Sequence, residues 1–278
     1  NLTRTSSSTS TTFTYSAWIK RCTFTGYQYI FSLGSKGFSF HSSNNTFYLY
    51  DGSALNESTA IFRDPSAWYH VVVSLNNTTY SNMSSTINIY VNGVAATFSA
   101  INSNNPSGGN RLNDSQGKHI GQFRPTSGSF FDGYLAEFNF IDDQALDASS
   151  FGQTKSGVWI PKNTSGLSFG TSGFRLQFKE TGTGTASSST IGADTSGNNN
   201  HFSSTNLSAH DVVPDSPTNN FATFNPLILD DFTLSEGSLY ATSAVAQLGI
   251  VAGTMSTKGQ KFYCEVRVVV VSKGTAIG

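Results

Sequence analysis

Apolar and polar residues alternate along residues 131–146, and this pattern predicts one amphipathic strand between two turns. Successive side chains of a strand point to opposite faces, so the two faces can be assigned by counting. The face expected in the core carries Tyr134, Ala136, Phe138 and Phe140, and the opposite face carries Leu135, Glu137, Asn139 and Ile141. Asp142-Asp143 is expected to form the turn that ends the strand.

Similar short segments recur along the first half of the chain, with turn residues between them. Asn92-Gly93 predicts a type I′ hairpin turn, because both residues tolerate positive φ. No segment of ten or more residues has a clear helical period. The predicted strands are residues 13–21, 28–33, 37–41, 46–50, 67–75, 86–91, 94–98, 118–123, 133–141 and 173–178. This pattern is typical of an antiparallel sandwich or barrel.

The second half is richer in Gly, Ser, Thr and Asn, and predicts a different organisation. Residues 212–227 hold three prolines and predict an extended connector. Strands are predicted at 234–240, 244–251 and 262–271, the last one buried. The predicted domains are a Ser/Thr-rich tail or linker over 1–12, a sandwich over 13–210, a connector over 211–232 and an incomplete second β domain over 233–278.

Composition limits the function classes. Only 12% of the 278 residues are charged and the net charge is −1, which argues against a nucleic-acid binder, since phosphate binding needs clustered Lys and Arg. No stretch approaches the roughly 20 apolar residues of a membrane helix, so we expect no membrane insertion. Cys22 and Cys264 lie in apolar stretches and are expected to be buried free thiols rather than a disulfide.

Several segments in order resemble the laminin-G-like, or concanavalin-like, jelly roll. They are Phe-Thr-Tyr-Ser-Ala-Trp-Ile-Lys from Phe13, Ala-Trp-Tyr-His-Val-Val-Val from Ala67, Ile-Tyr-Val-Asn-Gly from Ile89, and His-Ile-Gly from His119 followed by Phe-Asp-Gly-Tyr-Leu-Ala-Glu-Phe from Phe131. The resemblance implies an all-β, antiparallel jelly-roll sandwich.

A narrower resemblance is to virion structural proteins of marine bacteriophages such as cyanophages. It is carried by Tyr-Leu-Ala-Glu-Phe-Asn-Phe-Ile-Asp from Tyr134, Gly-Val-Trp-Ile-Pro-Lys from Gly157, Asp-Thr-Ser-Gly-Asn from Asp194, and Asp-Ser-Pro-Thr-Asn-Asn-Phe-Ala-Thr from Asp215. It implies a non-enzymatic protein at the virion surface: a tail fibre or other appendage, or alternatively a capsid decoration or head-fibre protein acting in assembly.

The phage resemblance also implies partners. They would be other virion proteins, a host-surface polysaccharide or glycan, and further copies of the chain, because trimers are common in such fibres. Residues 258–266 resemble the opening strand of a SPRY-type sandwich, although the Trp usual at that strand is absent.

The strand at 133–141 also holds the candidate catalytic carboxylates. Glycoside hydrolases of the concanavalin-like fold use Glu-x-Asp-x-(x)-Glu, and retention needs two carboxyl groups about 5 Å apart. This chain has Glu137-x-Asn139-x-x-Asp142, with Asn in the middle position. By alternation Asp142 points away from Glu137 unless a bulge intervenes. We therefore expect a non-enzyme, with a depolymerase that uses Glu137 as an alternative.

Two other sets of residues are candidate ligand sites. Asp194, Ser196, Asn198 and Asn200 offer the hard oxygens that calcium prefers, or alternatively a turn held by Asx hydrogen bonds. Tyr27, Tyr29 and Trp159 are candidate sugar contacts because they lie beside glycine or proline. Trp18 and Trp68 lie within strands and are expected in the core, and His70 is expected to be half-buried and hydrogen-bonded.

Overall fold

A computed structural model describes residues 1–5, 10–34, 36–50, 55–76, 87–99, 117–124, 128–243, 249–256, 258, 261 and 263–269. The chain divides into two compact units, Asn1–Asn220 and Phe221–Gly278. The strands of the first unit are β1 (Leu2–Arg4), β2 (Thr12–Arg21), β3 (Gln28–Leu33), β4 (Lys36–Phe40), β5 (Thr46–Tyr50), β6 (Leu55–Ile61), β7 (Trp68–Asn76), β8 (Ile87–Val91), β9 (Val94–Ala95), β10 (Lys118–Ile120), β11 (Gly133–Asp142), β12 (Gly152–Lys155), β13 (Val158–Pro161), β14 (Phe174–Leu176) and β15 (Ser203–Ser204). Among the described residues of this unit, Ala148–Ser150 and Ala209–Asp211 form short 3₁₀ turns. None of the helices among the described residues is long and apolar enough to cross a membrane.

The first unit is a two-sheet antiparallel sandwich, which confirms the predicted fold class. One sheet has seven strands in the order β15-β1-β10-β3-β4-β5-β6, and the other has six in the order β14-β11-β2-β7-β8-β9. Alternate residues of β2, among them Phe13, Tyr15 and Ile19, enter the core between the sheets. There the Tyr15 ring stacks on Phe140 at 4.5 Å. Aromatic packing of this kind adds about 0.5–1.5 kcal/mol to each pair beyond area burial.

A β-bulge in β11 overturns the predicted faces of that strand. Ala136 pairs with Trp18 and Asn139 with Ser16, so two residues of β11 oppose one of β2. The bulged residue, Glu137, has a φ of 47°. Because one extra residue shifts the alternation, Tyr134 and Ala136 do not share a face with the core residues Phe138 and Phe140. The core side of β11 is instead formed by Leu135, Phe138 and Phe140.

The N-terminal residues differ from the predicted tail. Leu2–Arg4 forms β1, which pairs with both β10 and β15 in the seven-stranded sheet. Leu2 is buried in the core. This segment is held by one buried leucine and by pairing with two strands. The Ser/Thr-rich composition around it gave no indication of either.

Residues 143–173, named here the covering segment, lie over the outer face of the six-stranded sheet. They include the hairpin β12–β13 and bury a second apolar cluster. The cluster joins Ala148, Phe151 and Phe169 of the covering segment to Val72 and Ile141 of the sheet. The cluster covers part of this outer face, as expected for β7, where Val72 is apolar on the side away from the core.

A second element, the latch loop of residues 212–220, is fixed to the same sheet. Lys20 forms an ion pair with Asp215 at 2.8 Å and donates a further hydrogen bond to Asn220 at 2.8 Å. The Trp68 indole donates to Asp215 at 2.9 Å. These contacts place residues 211–220 in the first unit, whereas the sequence pattern predicted a connector there.

The second unit contains β16 (Phe224–Asp230), β17 (Phe232–Ser235), β18 (Tyr240–Ser243) and β19 (Ile250–Gly253). They pair as two separate two-stranded sheets, β16–β19 and β17–β18. Among the described residues of this unit the buried side chains are Thr223 and Ser238, both polar. A second β region is thus present, but these residues build no apolar core.

Two of the strands predicted in the second unit are wrong. The segment 234–240 is broken by a turn at residues 236–239, where Glu236, Gly237 and Ser238 have positive φ. Residues 263–269 form no strand. They are exposed and pair with none of the described residues. Cys264 is accordingly exposed rather than buried, although both cysteines are free and Cys22 is buried as predicted.

Candidate functional site

The candidate catalytic carboxylates are held by neighbouring groups. Glu137 accepts two hydrogen bonds from the Arg175 guanidinium, at 3.1 Å from Nε and 3.0 Å from Nη2. It accepts a third from Gln177 at 3.1 Å. Asp142 is buried and accepts from the main-chain N–H of Ser172 at 3.1 Å. Each carboxylate therefore anchors β11 to the segment that follows it.

A serine and a histidine meet on the covered face in a way that excludes nucleophile activation. His70 is fully buried, with Nε2 at 2.9 Å from Ser16 Oγ, and its Nδ1 accepts from Trp159 Nε1 at 3.0 Å. An indole nitrogen only donates, so Nε2 must carry the imidazole proton and donate to Ser16. Burial lowers the pKa of His70 to about 3. The ring is thus a neutral donor to Ser16, whereas a general base would have to accept the serine proton.

The Trp159 ring packs tightly against the backbone at two glycines. The indole lies so close to both that a Cβ at Gly93 would come within 2.7 Å of it, and one at Gly152 within 2.4 Å. Gly93 has a φ of 81° in the predicted Asn92-Gly93 turn, which therefore docks directly on the indole. Since the indole N–H is committed to His70, this geometry argues against Trp159 as a sugar contact.

Trp18 and Trp68 are both buried, as predicted, but at the covered outer face rather than between the sheets. Trp18 stacks on His70 with ring centroids 4.6 Å apart. His70 is hydrogen-bonded as predicted and is more deeply buried than the half-buried position expected of it.

The candidate calcium ligands form a hydrogen-bonded turn. Asp194 Oδ1 accepts from the main-chain N–H groups of Arg175 and Ser196, both at 2.8 Å. Its Oδ2 accepts from Ser196 Oγ at 2.9 Å and from the main-chain N–H of Asn200 at 2.8 Å. This is the Asx-held turn that the sequence left open as the alternative to a metal site.

The two asparagines of that loop turn their amide nitrogens inward. Asn198 and Asn200 both donate to the Gly173 carbonyl, at 2.9 and 2.8 Å, and Asn200 Oδ1 accepts from Arg4. No group of three His, Cys, Asp or Glu side chains placed to hold a metal occurs within the described part of the chain. Calcium binding stays a prediction, and the observed role of the loop is to join β1 to β14.

Aromatic side chains cluster on the outer face of the seven-stranded sheet. We call this cluster the aromatic patch. Tyr29 of β3 stacks on Phe123 at 4.2 Å, and Tyr48 and Tyr50 of β5 stack in parallel at 6.4 Å. The Tyr27 ring lies 5.7 Å from Tyr48 and 6.4 Å from Tyr29. The members of the aromatic patch are Tyr27, Tyr29, His41, Tyr48, Tyr50 and Phe123.

The aromatic patch has a buried base and an exposed ring. Tyr29 and Tyr48 are buried, and Tyr27 is 36% exposed. Burial raises the pKa of Tyr29 to about 12 and also raises the pKa of Tyr48. Both phenols therefore keep their O–H groups at neutral pH and can donate hydrogen bonds as well as accept them.

Polar groups border the aromatic patch on one side. Glu57 accepts from Thr46 Oγ1 at 3.0 Å and from the Asn44 amide at 3.3 Å. His41 Nε2 lies 3.4 Å from the Tyr27 hydroxyl and 3.7 Å from the Glu57 carboxylate. A ring surface beside hydroxyl, amide and carboxylate groups can contact a ligand that has both apolar and hydroxylated faces.

Sequence reasoning identified Tyr27 and Tyr29 and missed the rest of the patch. Tyr48 and Tyr50 alternate with the core residues Phe47 and Leu49 along β5, and that period-2 pattern could have placed them on the outer face. Phe123 could not be found in this way, because it follows β10 and is separated from β5 by many residues.

Comparison with known proteins agrees with this architecture. A family model described as Concanavalin A-like lectin/glucanases superfamily, Laminin_G_3, matches residues 1–150, more than half of the chain. The chain belongs to this superfamily. No match was found among curated proteins. The lectin/glucanase-like match ends at residue 150, whereas the first structural unit continues to Asn220.

Solved structures with a similar fold are distant. A candidate carbohydrate-binding protein from Bacteroides ovatus is 18% identical, with a TM-score of 0.40, over 52% of this chain and 42% of that one. Trypanosoma rangeli sialidase is 18% identical, with a TM-score of 0.36, over 50% and 21%. The LG1–3 region of the laminin alpha2 chain is 15% identical, with a TM-score of 0.31, over 59% and 33%. The matches span less than half the length of these solved chains, and the assignment to the lectin/glucanase-like superfamily rests on the family model.

Proposed function

We propose that this chain is a non-enzymatic virion structural protein, a tail-fibre or other appendage module that attaches the particle to a glycan on the host surface. The observation that carries the glycan part is the exposed Tyr27 ring above the buried Tyr29 and Tyr48. The virion part rests on the resemblance of residues 13–227 to marine phage proteins. The protein would act at the virion surface, with other virion proteins as partners.

The chemistry of the aromatic patch suits a sugar. A pyranose ring has an apolar C–H face that packs against an aromatic ring, and an edge of hydroxyl groups that donate and accept hydrogen bonds. Tyr27 offers the ring face, and its hydroxyl, His41 and Glu57 offer polar atoms beside it. A few placed polar groups around an apolar surface are what orient a small ligand.

Three arrangements support a binding role over a hydrolytic one. Glu137 is held by Arg175 and Gln177, and Asn139 occupies the middle position of the carboxylate pattern. On the same covered face, His70 faces Ser16 with a proton rather than a lone pair. Adhesion needs none of these groups as acids or bases.

The proposal is tested on a glycan array with the purified chain and a Tyr27→Ala variant. We expect the wild type to bind a subset of bacterial surface polysaccharides and the variant to lose at least about tenfold in affinity, since an interface aromatic often contributes 1–2 kcal/mol or more. Tyr240→Ala is the matched control, because Tyr240 is 40% exposed and lies in the second unit. Equal binding by both variants and the wild type would place the glycan elsewhere, and no binding to any host polysaccharide would count against adhesion.

The capsid-decoration alternative differs in location. Imaging assembled particles with the chain labelled separates a fibre from a capsid position, and sedimentation of the purified chain tests for the trimer common in fibres. A depolymerase would release sugar from host polysaccharide and lose that activity on Glu137→Gln.

A further inference from the structure

Arg124 stands beside the aromatic patch as an exposed cation. Its guanidinium lies over the Phe123 ring at 4.8 Å from the centroid, and Phe123 in turn stacks on Tyr29. The side chain is exposed, and no carboxylate pairs with it among the residues that the structure describes. The positive charge therefore lies next to the aromatic rings of the patch, and no acid among the described residues neutralises it.

The backbone of Arg124 holds this position at a cost. Its φ is 57°, in the left-handed region that residues other than Gly, Asn and Asp seldom occupy. The main-chain N–H donates to Ser32 Oγ at 3.1 Å, and Ser32 Oγ donates to the Gln122 carbonyl at 2.8 Å. A strained residue that is kept in place by its surroundings points to a role for its side chain.

The two charges near the patch are used differently. The Glu57 carboxylate accepts hydrogen bonds from Thr46 and Asn44, so part of its acceptor capacity is taken up within the protein. Arg124 also acts on the patch, because its charge counters the burial that raises the pKa of Tyr29. The patch thus offers a ligand a ring surface with an available cation at one end.

We propose that the site selects acidic sugars, in which a carboxylate or sulfate group pairs with Arg124 while the sugar ring packs on the aromatic patch. A guanidinium binds such anions through two parallel N–H groups, and stacking on Phe123 orients its plane. This inference rests on the proposed glycan attachment and adds the charge of the sugar to it.

The test measures affinity for matched polymers by calorimetry at low ionic strength. Polygalacturonate is compared with its carboxyl-reduced neutral form, and dextran sulfate with dextran. We expect each acidic polymer to bind at least about tenfold more tightly than its neutral counterpart, since hydrogen bonds to charged groups exceed neutral ones. The preference should shrink as salt rises to about 1 M, where the screening length is roughly 3 Å.

Three variants assign the preference. Arg124→Gln should abolish the preference for acidic polymers, and Arg124→Gly should do the same in a backbone that favours positive φ. Arg63→Gln is the matched control, because Arg63 is an exposed arginine outside the patch. If polygalacturonate binds more tightly than its neutral form and dextran sulfate does not, Arg124 binds carboxylate. The reverse result would identify sulfate as the anion that Arg124 binds.

The outcomes separate the two proposals. If Tyr27→Ala weakens binding to every polymer while Arg124→Gln changes none, the patch binds glycans and the selection of acidic sugars is overturned. If the wild type binds no polymer, the glycan proposal itself fails. Tight binding of a single-stranded oligonucleotide that is lost in both variants would overturn the sugar as the ligand, because bases also stack on aromatic rings beside arginine.

Discussion

On the outer face of the six-stranded sheet, Trp18 and His70 are packed beneath the covering segment, whose Trp159 contacts His70. On the outer face of the seven-stranded sheet Tyr27 is exposed. Both faces combine aromatic rings with a histidine. Both histidines have protein partners at both ring nitrogens, but His70 on the covered face is fully buried. On the patch His41 is half-buried and lies beside exposed groups.

The difference shows that residue type alone does not identify a binding surface. An aromatic–histidine cluster becomes part of the protein interior when a later segment of the chain covers it. Each of its buried polar atoms then needs a hydrogen-bond partner within the protein. It remains available for a ligand where a ring stays in contact with solvent. Changes on the covered face should therefore act on stability, and changes on the patch should act on binding.

The largest effect is expected at the ion pair that fixes the latch loop. Lys20 and Asp215 are 0% and 6% exposed, so Lys20→Met leaves a buried carboxylate without its cation. Removal of one partner of a buried pair costs about 3–5 kcal/mol. Urea denaturation measures the loss. Arg175→Gln is the comparison and should cost less, because the Glu137 side chain of that pair is 25% exposed and water can solvate the carboxylate left behind. Equal losses in the two variants would show that the latch loop is not buried in solution.

A second effect concerns pH. Burial lowers the pKa of His70 from 6.5 to about 3, so below pH 6.5 the unfolded chain binds a proton that the folded chain does not. Stability is therefore complete above pH 6.5 and falls as the pH drops toward 3, by about tenfold in the folding constant for each unit. Denaturation curves at several pH values check this.

His119 contributes to the same acid loss, because burial also lowers its pKa. The His70 share is isolated by comparing His70→Gln, which should flatten the pH dependence, with His210→Gln at an exposed position, which should leave it unchanged. An acid loss of the same size in His70→Gln would assign it to other groups.

A smaller loss is expected for Trp159→Phe. The change keeps an aromatic ring against Gly93 and Gly152 but removes the N–H that His70 Nδ1 accepts. An unsatisfied buried acceptor costs about 1–3 kcal/mol. Thermal unfolding measures the change. If the variant were as stable as the wild type, the contribution of Trp159 to stability would come from ring packing and not from its hydrogen bond to His70.

The smallest effect on stability is expected at Tyr27. Tyr27→Ala removes a ring that is 36% exposed, and surface substitutions of this kind stay within about 0.5 kcal/mol. The same variant should show the large loss of glycan affinity described above. A stability loss comparable to that of Lys20→Met would instead make the patch a structural element like the covered face.

Much of the fold could be predicted from local sequence. β3 and β5 have their predicted bounds, and the Asn92-Gly93 turn has the positive φ values expected of it. The faces of β11 could not be predicted, because alternation assumes a regular strand and the bulge at Glu137 comes from its pairing with β2. The strand predicted at 262–271 is not formed over residues 263–269. A strand needs a neighbouring strand to pair with, and composition does not reveal whether one is present.

The candidate site was predictable only in part. Tyr27 and Tyr29 drew attention through their place beside Gly26, but Tyr48, Phe123 and Arg124 reach them from other strands and loops. Trp159 met the same local criteria as Tyr27 and proved to be bonded to His70.

By itself, the sequence determined the all-β class, most strands of the sandwich and the weak charge that argues against nucleic acid. These properties depend on short-range periodicity and on composition, both of which can be read along the chain. Only the tertiary structure decided which outer face is covered, which histidine is locked and which aromatic ring stays exposed. Those outcomes depend on pairing and burial between residues far apart in sequence, such as Trp159 with His70 and Asp215 with Lys20.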